Sequence, residues 1–155
     1  MSRTLVQLVP ASYVVFLRAE TVLLQLRQNM GFLDGHWACA AAGHVEAGES
    51  ASAAALREAR EEMGVRIRPQ DLLPLGTLHR SSGARSPLGH RVDFFFRATV
   101  WEGSASIMEP DKCADLQRFD LARLPEPMPE HERFVLEHLA AGTLPAIASL
   151  GFDES

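Results

Sequence analysis

The stretch "GHVEAGESASAAALREAREEMGV", residues 43–65, decides how this chain is read. Its second half, "SASAAALREAREEM", is dominated by Ala, Glu, Arg, Leu and Met, the strong helix formers. Ser50 or Glu49 can open the helix, and Gly64 followed by Val65 gives the expected stop. On that helix Glu58, Glu61 and Glu62 are spaced i, i+3 and i+4, so all three share one face. Like charges so placed destabilise a helix by roughly 0.2–0.5 kcal/mol per pair. Something must offset the repulsion, either ion pairs with Arg57 and Arg60 or a bound cation. Gly43 and Gly48 let the preceding loop pack its backbone against a ligand and offer a carbonyl to a cation. The carboxylates are hard oxygen ligands of the type Mg²⁺ or Mn²⁺ prefers. Ala54, Ala55, Ala59 and Met63 are small or flexible, so the helix can lie close on a sheet, and Arg57, at i−4 from Glu61, can hold a glutamate in position.

In pattern form the segment is Gly43, five residues, Glu49, seven residues, Arg57-Glu58-Ala59, one residue, Glu61-Glu62, one residue, Gly64-Val65. This resembles the Nudix box, the signature of the Nudix hydrolases, at every fixed position, with Ala59 and Val65 in the aliphatic slots. A chance match is on the order of 10⁻⁸ to 10⁻⁹ per starting position at average residue usage. A solvated helix laced by ion pairs is the ordinary reading of such a charge pattern, but it does not explain both glycines and Glu49 in register. The resemblance implies an α/β fold, a Nudix-type α/β/α sandwich with a mixed central sheet. It also implies metal-assisted hydrolysis of a nucleoside diphosphate linked to another group. Glu61 and Glu62 would bind Mg²⁺ (or Mn²⁺) together with Glu58 or the Gly43 carbonyl. Glu58 would be the candidate for activating water, and Arg57 and Glu49 would orient the catalytic glutamates.

The rest of the chain is compatible with that reading. Its 155 residues make one domain by length, 1–155, large enough to bury a core without staples. A hydrophobic share of 46% and a charged share of 23% suit a water-soluble globular protein. The net charge of −5 and the lack of any basic run argue against a nucleic-acid polymer as partner. No apolar run approaches the ~20 residues of a membrane helix, so no membrane partner is expected. Cys39 and Cys113 are far apart, forming neither a disulfide framework nor a zinc motif, and a cytoplasmic location is the natural reading. The apolar N-terminus is interrupted by Gln7 and Pro10 and is read as core, not as a signal peptide.

Along the chain, "SYVVFLRAETVLLQLRQ" (12–28) reads as two β-runs around a hairpin, and "NMGFLDGHW" as a loop. "DLLPLGTLHRS" (71–81) and "HRVDFFFRATVWE" (90–102) are further strands joined by the loop "SGARSPLG", and "CADLQRFDLARLP" (113–125) is a short strand and turn. "PEHERFVLEHLAAG" (129–142) is a second helix ending at Gly142, and the tail after it carries no clear pattern. Strands interleaved with two helices indicate a mixed α/β or α+β domain with the sheet between helices.

A second resemblance lies in Glu109-Pro110-Asp111-Lys112-Cys113, followed by Leu124-Pro125. MutT-like proteins that cleave nucleoside triphosphates often carry such a segment, in which the leading glutamate reaches the metal cluster. Glu109 is therefore expected as a further metal carboxylate, and Lys112 as a phosphate contact. The chain also departs from the family. "CAAAG" (39–43) stands where "LPGG" or "LPAG" is usual, and Leu116 and Arg118 replace expected tryptophans. "EPMPEHE" (126–132) offers Met128, Glu130 or His131 at the place of the usual base-reading Asn or Asp, and Met128 would line an apolar pocket. The array of the NADH-cleaving branch and the proline of ADP-ribose hydrolases are missing, with "LHRSS" (78–82) at the latter place. Arg80 is expected to touch substrate from a strand end, and Arg85 or Arg91 to clamp phosphates. Trp37 and Phe94–Phe96 are read as core. The expected function is hydrolysis of nucleoside triphosphates, or of related nucleoside diphosphate derivatives, with a homodimer as a possible assembly. The rivals are a non-nucleotide diphosphate hydrolase and a binding module without turnover.

Overall fold

β1 (Val9–Arg18) organises the molecule, because its alternation feeds two cores. The computed structural model describes residues 3–82 and 89–153; Arg85 therefore lies outside the described residues. Ala11, Tyr13, Val15 and Leu17 face one cluster and Val14 and Phe16 the other, the period-2 pattern of a strand buried on both sides. β2 (Thr21–Arg27) returns from β1 through the predicted hairpin and pairs on with β3 (Trp37–Cys39). β4 (Ala41–His44) lies antiparallel to part of β1, with Ser12 opposite Gly43. β5 (Leu73–Ser81), β6 (His90–Ala98), β7 (Cys113–Asp120) and β8 (Ile147–Leu150) complete eight strands in a mixed sheet. Its main path runs β3-β2-β1-β6-β5-β8, with β4 branching from β1 and β7 from β2; β1–β6 and β5–β8 are parallel.

The two helices cover opposite faces. α1 (Ala51–Met63) packs Ala55, Ala59 and Met63 against Val14 and Phe16, while α2 (Glu130–Ala141) packs Val135 and Leu136 against the cluster holding Tyr13 and Phe95. Ala54, Ala55, Ala59 and Met63 are wholly buried, so this face of α1 sits close to the sheet as its small residues imply. Ser50 caps α1 by accepting from the Ala53 N–H at 3.0 Å, and Gly64, at φ 67°, closes it in the left-handed conformation. Ser12 Oγ, buried under the first turn, donates to the Ala51 carbonyl at 2.7 Å and fixes where α1 leaves the sheet.

The expected α/β architecture is what the chain adopts. Three strands differ from the sequence reading: β3 and β4 form inside the small-residue stretch taken as a lead-in to the helix, and β8 forms in the unpatterned tail. Among the described residues no helix is long and apolar enough to cross a membrane.

Candidate active site

The polar face of α1 is ordered around one guanidinium. Arg57 Nε and Nη2 donate to the two oxygens of Glu49 at 2.7 and 3.0 Å, a bidentate pairing. Nη1 donates to Glu58 at 2.7 Å and to Glu61 at 3.1 Å, and Nη2 also reaches the His44 carbonyl at 3.1 Å. Arg57 thus ties the loop before the helix, the strand β4 and two glutamates of the helix to one point. The hydrogen bond from Arg57 holds Glu49 down to about 2, and the same contacts push the arginine further up.

Glu62 takes no part in this pairing. Its carboxylate accepts from the Ala42 N–H at 2.6 Å, turned toward β4. Desolvation first, then the negative charges of Glu58 and Glu109, push its pKa well above the carboxylate range. Glu58 is also raised, again by desolvation first, with Arg57 working against it and Glu61 adding to it. Gly43 lies directly over Glu58, and a Cβ there would run into the Glu58 carboxylate, so only glycine leaves room for this approach.

The segment before β7 is fastened to the C-terminal end of α1. Ser106 N–H donates to the Met63 carbonyl at 3.1 Å and Met108 N–H to the Glu62 carbonyl at 3.3 Å. That anchoring brings Glu109 close enough for its charge to disfavour ionisation of Glu62. Lys112 pairs with Glu109 at 3.3 Å.

The carboxylates suit a hard divalent cation. Glu58 and Glu62 are desolvated and mutually repelling, their donors are all oxygen, and the single charge of Arg57 is shared among Glu49, Glu58 and Glu61 and does not reach Glu62. No three acidic, imidazole or thiolate side chains among the described residues are gathered as a ready metal cage. Arg57 holds Glu58 and Glu61 to itself while the Ala42 N–H holds Glu62.

The remaining expected residues fall elsewhere. Arg80 is bound to Asp93, a fully buried carboxylate, so its charge is already answered. Arg91 donates to His44 Nε2 at 3.1 Å. Met128 is buried in the cluster with Tyr13 and Phe95, and Trp37 packs at its edge. Phe95 stacks on Tyr13 with ring centroids 4.3 Å apart, and Phe96 packs on the α1 side. Sequence reasoning missed His44, Arg27, Tyr13, Asp93 and Glu132. Glu132 is buried in α2 and accepts from the Cys39 N–H at 2.7 Å. His131 joins the Tyr13 hydroxyl through Nε2 at 3.1 Å. No local pattern marks a charged residue of a helix or strand as buried; the register of β6 on β1, which puts Asp93 beside Ala11, does.

The site is thus a helix of glutamates held by one arginine over a glycine strand, on an eight-stranded α/β scaffold. A model of the NUDIX domain matches residues 7–139, and the chain belongs to the Nudix family. It is 32% identical over 133 residues to the NAD-capped RNA hydrolase NudC of Pseudomonas aeruginosa, covering 86% of this chain and 43% of that protein. It is 31% identical over 97 residues to the ADP-ribose pyrophosphatase of Methanocaldococcus jannaschii, covering 63% of this chain and 54% of that one. The chain therefore spans about half the length of these curated relatives. Among solved structures, a MutT NUDIX hydrolase from Burkholderia pseudomallei superposes with a TM-score of 0.75 at 26% identity, over 84% of this chain and 97% of that one.

Proposed function

We propose that this chain is a divalent-metal-dependent pyrophosphohydrolase of nucleoside diphosphate derivatives, with nucleoside triphosphates, cleaved to monophosphate and pyrophosphate, as the leading substrates. The observation that carries this is the Arg57 hub, which fixes Glu58 and Glu61 beside a Glu62 that it does not neutralise. Glu58, Glu61, Glu62, Glu109 and the Gly43 carbonyl would hold Mg²⁺ or Mn²⁺. When bound, the ion would neutralise phosphate oxygens and make a coordinated water more acidic. Arg57 orients Glu58, whose raised pKa suits a group that takes the proton of the attacking water. As the water oxygen bonds to phosphorus, the bridging P–O bond breaks and the leaving phosphate carries away the electron pair. Arg91, now on the His44 ring, and Lys112, now paired with Glu109, would turn to the phosphate chain, and Met128 would bound the substrate from an apolar side. The two cysteines are free and buried, which suits a reducing cytoplasm.

The curated relatives favour a second reading, in which the diphosphate joins two larger groups as in ADP-ribose or NAD-capped RNA. One panel tests both: nucleoside triphosphates, ADP-ribose, NAD and NAD-capped RNA with Mg²⁺, products identified by mass spectrometry. Pyrophosphate release from a triphosphate selects the first reading, and nucleoside monophosphate release only from ADP-ribose, NAD or the capped RNA selects the second. Glu61→Gln and Glu62→Gln are expected to be inactive yet folded. Full turnover by both would remove the mechanism.

A further inference from the structure

β1 and β6 run parallel and end side by side, Phe16 opposite Ala98, while β7 lies across β2 with Arg118 opposite Leu23. Trp101, just past the end of β6, turns its ring onto Phe16 with centroids 5.1 Å apart. The guanidinium carbon of Arg18, at the end of β1, lies 4.7 Å from the centre of the Trp101 ring. Two surface depressions meet at this pair. One, of about 560 Å³, is lined by Arg18, Trp101, Arg97 and Thr99, and the other, of about 360 Å³, by Arg18, Trp101, Arg118, Gln117 and Ser104.

Arg18, Arg97 and Arg118 are exposed, and among the described residues none of the three guanidinium groups has an ion pair or a hydrogen bond. Arg57, Arg68, Arg80 and Arg133, in contrast, each meet a carboxylate. Glu20 and Asp120, close by in the chain, pair with none of the three. Carboxylates are in excess in a chain of net charge −5, so three unanswered forks around one tryptophan make a local positive field on an acidic protein. Arg118 is held below the ordinary arginine value, by desolvation first and then by the charge of Arg18, as two cations lining one depression would be.

The shape of this field selects its ligand. Arg97 and Arg118 stand on β6 and β7, which β1 and β2 separate, about 14 Å at the usual strand spacing, so a ligand that meets all three arginines is extended. Free guanidinium forks take phosphoryl oxygens through parallel donors, and a tryptophan with a guanidinium beside it is a surface on which unpaired bases stack. The place is separate from the α1 carboxylates: Gly43 lies opposite Ser12, and Arg18 is about 20 Å further along β1 at the rise of a strand. We propose that Arg18, Arg97, Arg118 and Trp101 form a docking track for single-stranded nucleic acid, with phosphates on the three guanidinium groups and a base at Trp101. This goes beyond the hydrolase reading and does not depend on it. The sequence speaks against a polymer through its net charge and its lack of a basic run; the sheet assembles from scattered arginines what no run contains.

Binding of a fluorescein-labelled oligouridylate, followed by anisotropy in chelator so that nothing is cleaved, tests the track. Three phosphate contacts predict that log K falls with log salt at a slope of about −2. Arg18→Gln, Arg97→Gln and Arg118→Gln are each expected to bind about fivefold more weakly and to flatten the slope by about 0.7, with Arg60→Gln unchanged. Should Arg18→Gln fail to fold, the exposed Arg97 and Arg118 carry the same comparison. Oligouridylate is also expected to quench tryptophan emission, and the quench to vanish in Trp101→Phe, since Trp37 packs with Phe119 on the other face of the sheet. No binding, an Arg60→Gln loss equal to the others, or an undiminished quench in Trp101→Phe overturns the proposal. Equal affinity for a duplex of the same length, or for uridine monophosphate, overturns it as well, because neither unpaired bases nor an extended ligand would then be recognised. Hydrolysis is not read in these titrations, so their failure leaves the hydrolase reading standing, and an inactive protein leaves them valid.

Discussion

Replacing Arg57 with alanine probes the hub directly. The side chain is 16% exposed and meets Glu49 and Glu58, themselves 15% and 13% exposed, each at 2.7 Å. Its third partner, Glu61, is 55% exposed at 3.1 Å and so heavily screened that it adds little. A hydrogen bond to a charged group contributes about 1.5–3 kcal/mol, and removing one member of a poorly solvated pair leaves the others uncompensated. Two such contacts, partly exposed and not additive, place the loss for Arg57→Ala at about 3 kcal/mol, within a range of about 2–5 kcal/mol. Urea unfolding at pH 7 in chelator measures it. Arg60, exposed on the same helix, serves as control, and Arg60→Ala should stay within about 0.5 kcal/mol of wild type. Glu58 also loses its orienting donor, so kcat/KM should fall about 100-fold, equivalent to about 2.7 kcal/mol of transition-state stabilisation. Arg57→Lys keeps a charge but cannot span three carboxylates and should lie between. An Arg57→Ala protein as stable and as active as wild type would refute the idea that one guanidinium organises the site.

Two other outcomes follow from the same geometry. Gly43→Ala should displace the Glu58 carboxylate, the end of a flexible side chain, changing stability by no more than about 1 kcal/mol while lowering kcat more than it raises KM; thermal melts and steady-state kinetics check both. His131 is held neutral when folded, its pKa about 3 against 6.5 in the unfolded chain, so the unfolded state takes up more protons between those values. Its contribution is therefore present above about pH 6.5 and is lost on acidification, with a slope of about 1.4 kcal/mol per pH unit inside the window. Glu132, raised by burial and 3.5 Å from the imidazole, slopes the opposite way, so the difference between Glu132→Gln and Glu132→Gln/His131→Gln isolates the histidine. A pH-independent difference between them would contradict the burial account.

Much of this was legible in the sequence for local reasons. α1 announces itself because helix formers, a serine cap and a glycine stop agree over one continuous stretch, and the observed bounds follow them. β1 and β2 show because β-branched and aliphatic residues flank a polar turn. β4 does not, since Ala41, Ala42 and Gly43 are poor strand formers kept extended only by pairing with β1. The carboxylates of α1 were readable as a group from their helical spacing. The polar contacts of α2 were not: His131 with the Tyr13 hydroxyl and Glu132 with the Cys39 N–H join residues 118 and 93 positions apart, and only the docking of α2 on the sheet brings them together. Arg80 looked like a free cation because its partner, Asp93, lies in a stretch of phenylalanines with nothing local to mark it as buried.

The central claim is that the three α1 glutamates, which the single charge of Arg57 cannot balance, take a divalent cation. Calorimetric titration of Mn²⁺ into wild type and Glu62→Gln tests it without any substrate. Glu62→Gln would keep an oxygen for the Ala42 N–H and lose the carboxylate that ionises to hold the cation. The account predicts saturable binding to wild type and at least about tenfold weaker binding to the variant. Identical heats for the two proteins, or none for either, would contradict it.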